Sequence, residues 1–145
     1  KSEIFFEKNF KYIVDIEVTN PLINSGDLNN FTKSYFNKKK KYDGQFCITP
    51  AKKNPYFNIM EYINGKYLLS KKIRNIKITA RQNAPKVFEH VGGLYYFKRN
   101  YLLQCKSLFQ GKIFGFNVSL FKSFDIDSQL DFKLVELLLK NKKNI

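Results

Sequence analysis

Tryptophan is absent from this chain, histidine occurs once and cysteine twice. Each scarcity removes a class of chemistry. Cys47 and Cys105 are far apart and show no C-x-x-C spacing, which excludes a zinc ribbon or a dithiol redox pair. Cys47 falls in an apolar strand pattern and reads as a small core side chain. His90, standing alone, cannot build a His-rich metal site or a triad, and it reads as a structural or surface residue. No run of about 18 apolar residues exists, so a transmembrane helix is excluded and no membrane partner is expected. The first residues, Lys1-Ser2-Glu3-Ile4-Phe5-Phe6-Glu7, carry acids where a signal peptide needs an uninterrupted apolar core. These absences point to a reducing cytoplasm. The chain starts at Lys1 and not at methionine, and is expected to be a piece of something longer.

Acidic residues are also few: 12 against 26 basic ones, for a net charge of +14. Such an excess invites a nucleic-acid reading, which aromatics such as Tyr35, Phe36 and Tyr42 beside Lys38-Lys39-Lys40-Lys41 would serve. An AT-rich genome gives the same composition, since Lys, Asn, Ile, Phe and Tyr are all abundant. The lysines are scattered apart from that one cluster, which falls where a helix is expected to end and where cations suit the helix dipole. No RNA-binding or helix-turn-helix pattern occurs, so the compositional explanation is preferred over a nucleic-acid partner. What remains is 145 residues, 43% of them hydrophobic, which suffices for one globular domain with a core.

Tyr12-Ile13-Val14-Asp15-Ile16-Glu17-Val18-Thr19 is β-branched and stops at Asn20-Pro21, the pattern of a strand ending in a turn. Ser25-Gly26-Asp27 is placed to cap a helix running to about Lys40, with Leu28, Phe31, Tyr35 and Phe36 at helical spacing. Gln45–Thr49 reads as a second strand, closed by Pro50. This strand–helix–strand order predicts a parallel pair with a right-handed crossover. From Pro50 to about Pro85 the chain makes a hairpin excursion. Tyr56 to Ile63 and Lys66 to Ser70 flank the Asn64-Gly65 turn signal, and Ile76 to Thr79 is a further strand candidate. Leu94–Phe97 and Ile113–Val118 read as strands, with a short helix from Asn100 or Arg99 to Cys105. The last helix carries the clearest local signal. Ser128 and Asp131 make a capping box, Leu130, Leu134, Leu137 and Leu138 form one apolar stripe, and Glu136 and Lys140 pair at i,i+4. The Asn141–Asn144 end is expected to fray.

Just before that helix stands Ser123-Phe124-Asp125-Ile126-Asp127-Ser128. Residues i and i+2 of an extended segment point the same way, so Asp125 and Asp127 present two carboxylates side by side. A hard Mg²⁺ ion, taking one or two carboxylates plus phosphate oxygens, relieves their repulsion. On D-x-D alone, a helix-capping role for Asp127 with a solvated Asp125 stays open.

The surrounding residues resemble a known family. Ser123 to Phe132 is similar to the SIDIDxxLDF stretch of CMP-sialic acid synthetases and their relatives for legionaminic and pseudaminic acids. Asp15-Ile16-Glu17-Val18-Thr19-Asn20-Pro21-Leu22 resembles their DLDVTSPLR or LLQPTSPLR, and Asn54 to Glu61 resembles NPYFNMVE. Arg81 to Phe88 is similar to RRQDAPKVY, and Gly93-Leu94-Tyr95 to ASIY or GAIY. The five pieces occur in family order and span about Tyr12 to Leu139. The resemblance implies an incomplete α/β, Rossmann-like three-layer α/β/α fold of the nucleotide-diphospho-sugar transferase kind over 1–145. An inserted β-hairpin dimerisation and acceptor-contact region would occupy 50–92. It further implies a homodimer and transfer of CMP from CTP to a 2-keto sugar acid, with release of pyrophosphate. By the same resemblance Asp125 and Asp127 would be catalytic carboxylates holding Mg²⁺. Arg81 would contact the sugar acid, while Tyr95 and Phe109 would line the acceptor pocket and Glu17 would match an acceptor-side Asp or Gln.

Departures are equally specific. The family's nucleotide-cradling ARGGSKGxxxKN segment has no counterpart here, Ile23 replaces the Arg that usually ends TSPLR, and Val91 stands where many members have Asn. Gly92-Gly93 is no phosphate loop. The isolated chain is therefore expected to be inactive, with a non-catalytic relic or interaction module as the alternative. The Tyr12–Thr19 strand is expected to expose a hydrophobic edge.

Overall fold

In chain order the structure, a computed structural model describing residues 2–38, 41–70, 78 and 80–141, runs α1 (Ser2–Phe5), β1 (Tyr12–Ile16), α2 (Ser25–Lys38), β2 (Gly44–Pro50), β3 (Met60–Ile63), β4 (Lys66–Leu69), β5 (Phe88–Lys98), α3 (Arg99–Gln104), β6 (Ile113–Asn117) and α4 (Gln129–Lys140). Short 3₁₀ turns occupy Arg81–Asn83 and Leu120–Ser123. The elements form two units, one from Lys1–Thr49 and His90–Ile145, the other from Pro50–Glu89.

The first unit is α/β, as expected, with an open mixed sheet in the order β1-β5-β2-β6. β1 pairs antiparallel with β5, from Tyr12↔Lys98 to Ile16↔Leu94, and β2 pairs parallel with β6. Lys98 N–H donates to the Asp43 carbonyl (2.9 Å) and Ala51 N–H to that of Val87 (3.1 Å), so β5 also runs opposite to β2. β1 and β2 therefore point the same way, but they are not neighbours, because β5 lies between them. A strand–helix–strand pattern fixes direction and leaves adjacency open, and a strand from far along the chain fills the gap.

β1 stops at Ile16, earlier than its β-branched pattern predicts, because turns follow: Asn20 N–H reaches the Glu17 carbonyl (3.5 Å) and Ile23 N–H that of Asn20 (3.3 Å). The cap of α2 is Asn24, one residue before the expected Ser25. Asn24 N–H donates to Asp27 Oδ2 at 2.9 Å and Asp27 N–H to Asn24 Oδ1 at 3.1 Å, a reciprocal box. α2 then buries Phe31 and Tyr35 against Cys47, Val91, Leu94, Tyr96 and Val118. Tyr35 stacks on Tyr96 with ring centroids 4.1 Å apart. The opposite sheet face meets α3, whose Tyr101 ring stacks on Phe97.

Ser128 caps α4 as expected, its Oγ accepting from Asp131 N–H at 3.3 Å. The buried stripe is different from the predicted one. Val135 is the buried residue of the helix and Leu138 of the predicted stripe is half-buried, whereas Leu130, Leu134 and Leu137 are 66%, 40% and 55% exposed. The inward face runs through Asp131, Val135 and Leu138, next to the leucine-rich face of Leu130, Leu134 and Leu137. A hydrogen bond from Ile126 N–H to the Thr19 carbonyl (2.9 Å), just ahead of the cap, accompanies the choice between them. β1 is an edge strand with Val14 and Ile16 exposed, the apolar edge that the sequence predicts. Among the described residues no helix is long and apolar enough to cross a membrane.

The second unit holds the β3–β4 hairpin, in register from Met60↔Leu69 to Ile63↔Lys66. Its turn residues Asn64 (φ 51°) and Gly65 (φ 78°) are both left-handed, as a type I′ turn requires. Asn54 folds the preceding loop by accepting from Tyr56 N–H through its side chain and from the Phe57 and Asn58 N–H groups through its carbonyl. Of the strand candidate Ile76–Thr79 only Ile78 is described, and it lies in no regular element. Lys39 and Lys40 of the lysine cluster, and the end beyond Asn141, lie outside the described residues.

Candidate functional site

Because β1, β2 and β6 share a direction, their carboxyl ends meet one edge of the sheet, and the oppositely running β5 begins there. In open α/β sheets ligands bind at that edge, where loops leave the strands and side chains converge.

Glu17 stands just past β1. Its N–H donates to the Gly93 carbonyl (2.9 Å), and its Oε2 accepts from Gly93 N–H (3.3 Å), so Glu17 is tied to Gly93 through both its backbone and its carboxylate. The Tyr95 hydroxyl is hydrogen-bonded to the same carboxylate, and burial together with that negative charge pushes the phenol well above its usual range. Gly92 makes room for this arrangement. A Cβ there would overlap Glu17 Oε2 and come within 3.2 Å of Asn20 Nδ2.

Gly93 adopts φ 104°, open to glycine and strained for other residues. The double glycine also changes which way β5 faces. Leu94 and Tyr96 enter the core beneath α2, and so does Val91, an odd-numbered residue among even ones. Without this irregularity strict alternation would send Val91 to the other face and bury His90. Instead His90 shares a face with Tyr95, Phe97 and, from β2, Phe46. Its ring lies 4.7 Å from that of Phe46, 5.5 Å from that of Phe109 and 5.4 Å from that of Tyr95. Crowding by these rings lowers the imidazole pKa, and the Glu17 charge works in the opposite direction.

These groups line one cavity of about 550 Å³, with Glu17, His90, Tyr95, Leu108 and Phe109 among its walls. That volume suits a small-molecule site. Phe109 is 61% exposed and is held over the cavity by a loop wound around one phenol. The Tyr101 hydroxyl faces the Leu108 and Ser107 carbonyls (2.9 and 3.2 Å) and accepts from Gly111 N–H (2.8 Å).

Three of the six residues singled out from the sequence, Glu17, Tyr95 and Phe109, thus meet in one cavity. Asp125 and Asp127 lie on the segment joined to Thr19 by the Ile126 hydrogen bond, two residues beyond Glu17 at the same sheet edge. Asp125 is half-buried and its Oδ1 has no hydrogen-bond partner among the described residues, while Asp127 is exposed. Asn20 is almost fully buried, and neither of its amide atoms has a partner among the described residues. Arg81 opens the 3₁₀ turn of the second unit and is exposed there.

A buried, unpaired carboxylate oxygen beside an exposed carboxylate offers hard oxygen donors of the kind Mg²⁺ takes. Among the described residues no three acids, histidines or cysteines gather as a metal cage, so two carboxylates would leave the other positions to water and phosphate. Sequence reasoning missed His90 and Tyr101. Only the glycine pair next to His90 hinted at a re-aimed strand, and Tyr101 gave no signal.

No family model matches the chain. It is 36% identical over 147 residues to the post-translational flagellin modification protein B of Campylobacter coli, covering 98% of this chain and 58% of that protein. Over 98 residues it is 45% identical to the CMP-N,N'-diacetyllegionaminic acid synthase of Campylobacter jejuni, covering 64% of this chain and 38% of that enzyme. The chain therefore spans less than two thirds of the length of these relatives.

Proposed function

We propose that this chain belongs to the CMP-nonulosonic acid synthetases and forms the acceptor side of a cytidylyltransferase site. The carrying observation is the convergence of Glu17, Tyr95 and Phe109 on one cavity at the carboxyl edge of the sheet, beside the Asp125–Asp127 segment. The legionaminic acid synthase among the relatives supports the same reading.

In the reaction so assigned, the anomeric hydroxyl of a 2-keto sugar acid attacks the α-phosphorus of CTP in line. The new O–P bond forms as the bond to pyrophosphate breaks, and the hydroxyl proton leaves to a base. Glu17, fixed by Gly93 and Tyr95, accepts a hydrogen bond from the acceptor and sets its orientation. Tyr95 and Phe109 present apolar walls that exclude water. Arg81 brings a guanidinium suited to a carboxylate. Asp125 and Asp127 are the carboxylates that would hold Mg²⁺, which when bound neutralises charge on the phosphates. A homodimer through the 50–92 region and a cytoplasmic location belong to the same proposal.

The test is release of pyrophosphate from CTP and a nonulosonic acid by this chain joined to the part of its relatives that it does not match. Turnover is expected to require Mg²⁺ and to collapse in Asp127→Ala, by at least about a hundredfold, the scale of losing a preorganised charge contact at a transition state. Undiminished turnover in that variant removes the metal role.

The free β1 edge and the exposed leucines of α4 favour a second reading, a non-catalytic interaction module. Mg²⁺-dependent turnover by the joined protein removes it.

A further inference from the structure

The walls of the cavity are short of hydrogen-bond donors. Among the described lining side chains only His90 and Tyr95 carry an N–H or O–H group, and the Tyr95 hydroxyl is engaged with Glu17. Asp15 and Glu17 supply acceptors alone. An entering molecule therefore finds carboxylates for its own donors and aromatic faces for its apolar parts. For its oxygen atoms it finds, among the described residues, one side-chain donor that no protein group engages, the imidazole of His90. That imidazole is exposed at the cavity wall and framed by three rings on its faces and edges.

Two independent features put it there. The Gly92–Gly93 irregularity turns His90 away from the α2 core and onto the cavity face. The Tyr101-bound loop brings Phe109 against its ring. Both put the imidazole on the same cavity wall as the Glu17 carboxylate.

We propose that His90 is a specificity-determining residue of this cavity, donating a hydrogen bond to an oxygen of the ligand while Glu17 accepts from a neighbouring ligand N–H. A secondary amide on the ligand, with its carbonyl toward His90 and its N–H toward Glu17, is the group that satisfies both. The same ligand's carboxylate is kept away from this wall by the charges of Asp15 and Glu17. This inference rests on the proposed function, since it takes the cavity to be the acceptor site.

Because His90 is the chain's single histidine, its two imidazole C–H resonances are unambiguous reporters. The full chain is titrated with N-acetylneuraminic acid, and in parallel with the analogue in which a hydroxyl replaces the acetamido group, at pH 7.5. Saturable movement of both imidazole resonances is expected with the acetamido compound, with a weaker response to the hydroxyl analogue. His90→Ala is expected to weaken binding about fivefold, the effect of one hydrogen bond, while His90→Gln, which keeps an N–H donor, retains most of the affinity. If the Tyr95 and Phe109 ring resonances move while those of His90 stay still, the inference is overturned and the acceptor cavity stands. Equal affinity for the two ligands overturns the amide assignment. If no resonance of the cavity moves, the acceptor-site reading falls and takes this inference with it.

Discussion

The four-stranded sheet and the β3–β4 hairpin draw on the same aromatic and β-branched residues and use them in opposite ways. In β2 most residues are buried, and β5 alternates between a core face and a cavity face. In the hairpin every residue is exposed, with Tyr62 and Tyr67 at 67% and 68%. The sheet takes its register from what it packs against, above all Phe31 and Tyr35 of α2. The hairpin takes its register from two left-handed turn residues, because burial gives it none. An isolated two-stranded hairpin is marginal in water, so the hairpin is expected to be the less stable of the two.

The largest expected effect separates the two regions directly. Phe31→Ala leaves a cavity under α2 and is expected to cost about 3–5 kcal/mol, measured by urea unfolding. Tyr67→Ala on the hairpin is expected to stay within about 0.5 kcal/mol. Similar costs at both sites would break the contrast.

A smaller effect tests the turn. Gly65→Val at φ 78° forces a β-branched residue into the left-handed region, costing about 1–2 kcal/mol. Hydrogen exchange is expected to show amides of β3 and β4 losing protection while those of β2 and β5 keep theirs. Loss of protection in both would mean the hairpin and the sheet unfold as one.

The smallest effect is a pH dependence carried by His90. Its pKa is lowered in the folded chain, by burial first and against the pull of Glu17. The unfolded chain therefore holds the proton more readily. Stability should be flat above about pH 7.5 and decline as pH falls through about 6.5, the ordinary histidine value. His90→Gln should flatten the slope between pH 7.5 and 5.5, and an unchanged slope in that variant would assign the dependence to other groups.

How much of this was legible in the sequence follows the range of each interaction. The Ser128–Asp131 cap and the Asn64-Gly65 turn are chemistry among neighbours, and both read correctly. The α2 cap missed by one residue because Asn24 and Ser25 are both capping types, and only the reciprocal bonds with Asp27 decide between them. The α4 stripe shifted for a non-local reason: the helix turns Val135 and Leu138 inward in place of Leu130, Leu134 and Leu137, beside a hydrogen bond from Ile126 to a residue more than a hundred positions upstream. The place of β5 between β1 and β2 is equally non-local. In the cavity, Glu17, Tyr95 and Phe109 came from a family resemblance rather than from periodicity. His90, read as a structural or surface residue, is exposed, as that reading allows; its place on the cavity wall follows from a glycine pair that breaks the alternation of β5 and carries no side chain to announce it.

The central proposal is that the segment tied to the end of β1 presents Asp125 and Asp127 as a divalent-cation site at the same sheet edge as the cavity of Glu17 and Tyr95. Its most direct test is paramagnetic broadening of backbone amide resonances when the full chain is titrated with Mn²⁺ in place of Mg²⁺. The account predicts that Ile126, Asp127 and Thr19 broaden first and that Asp125→Asn abolishes the effect. Broadening that instead appears around scattered exposed acids such as Glu61 and Glu136, with Ile126 still sharp, would contradict it.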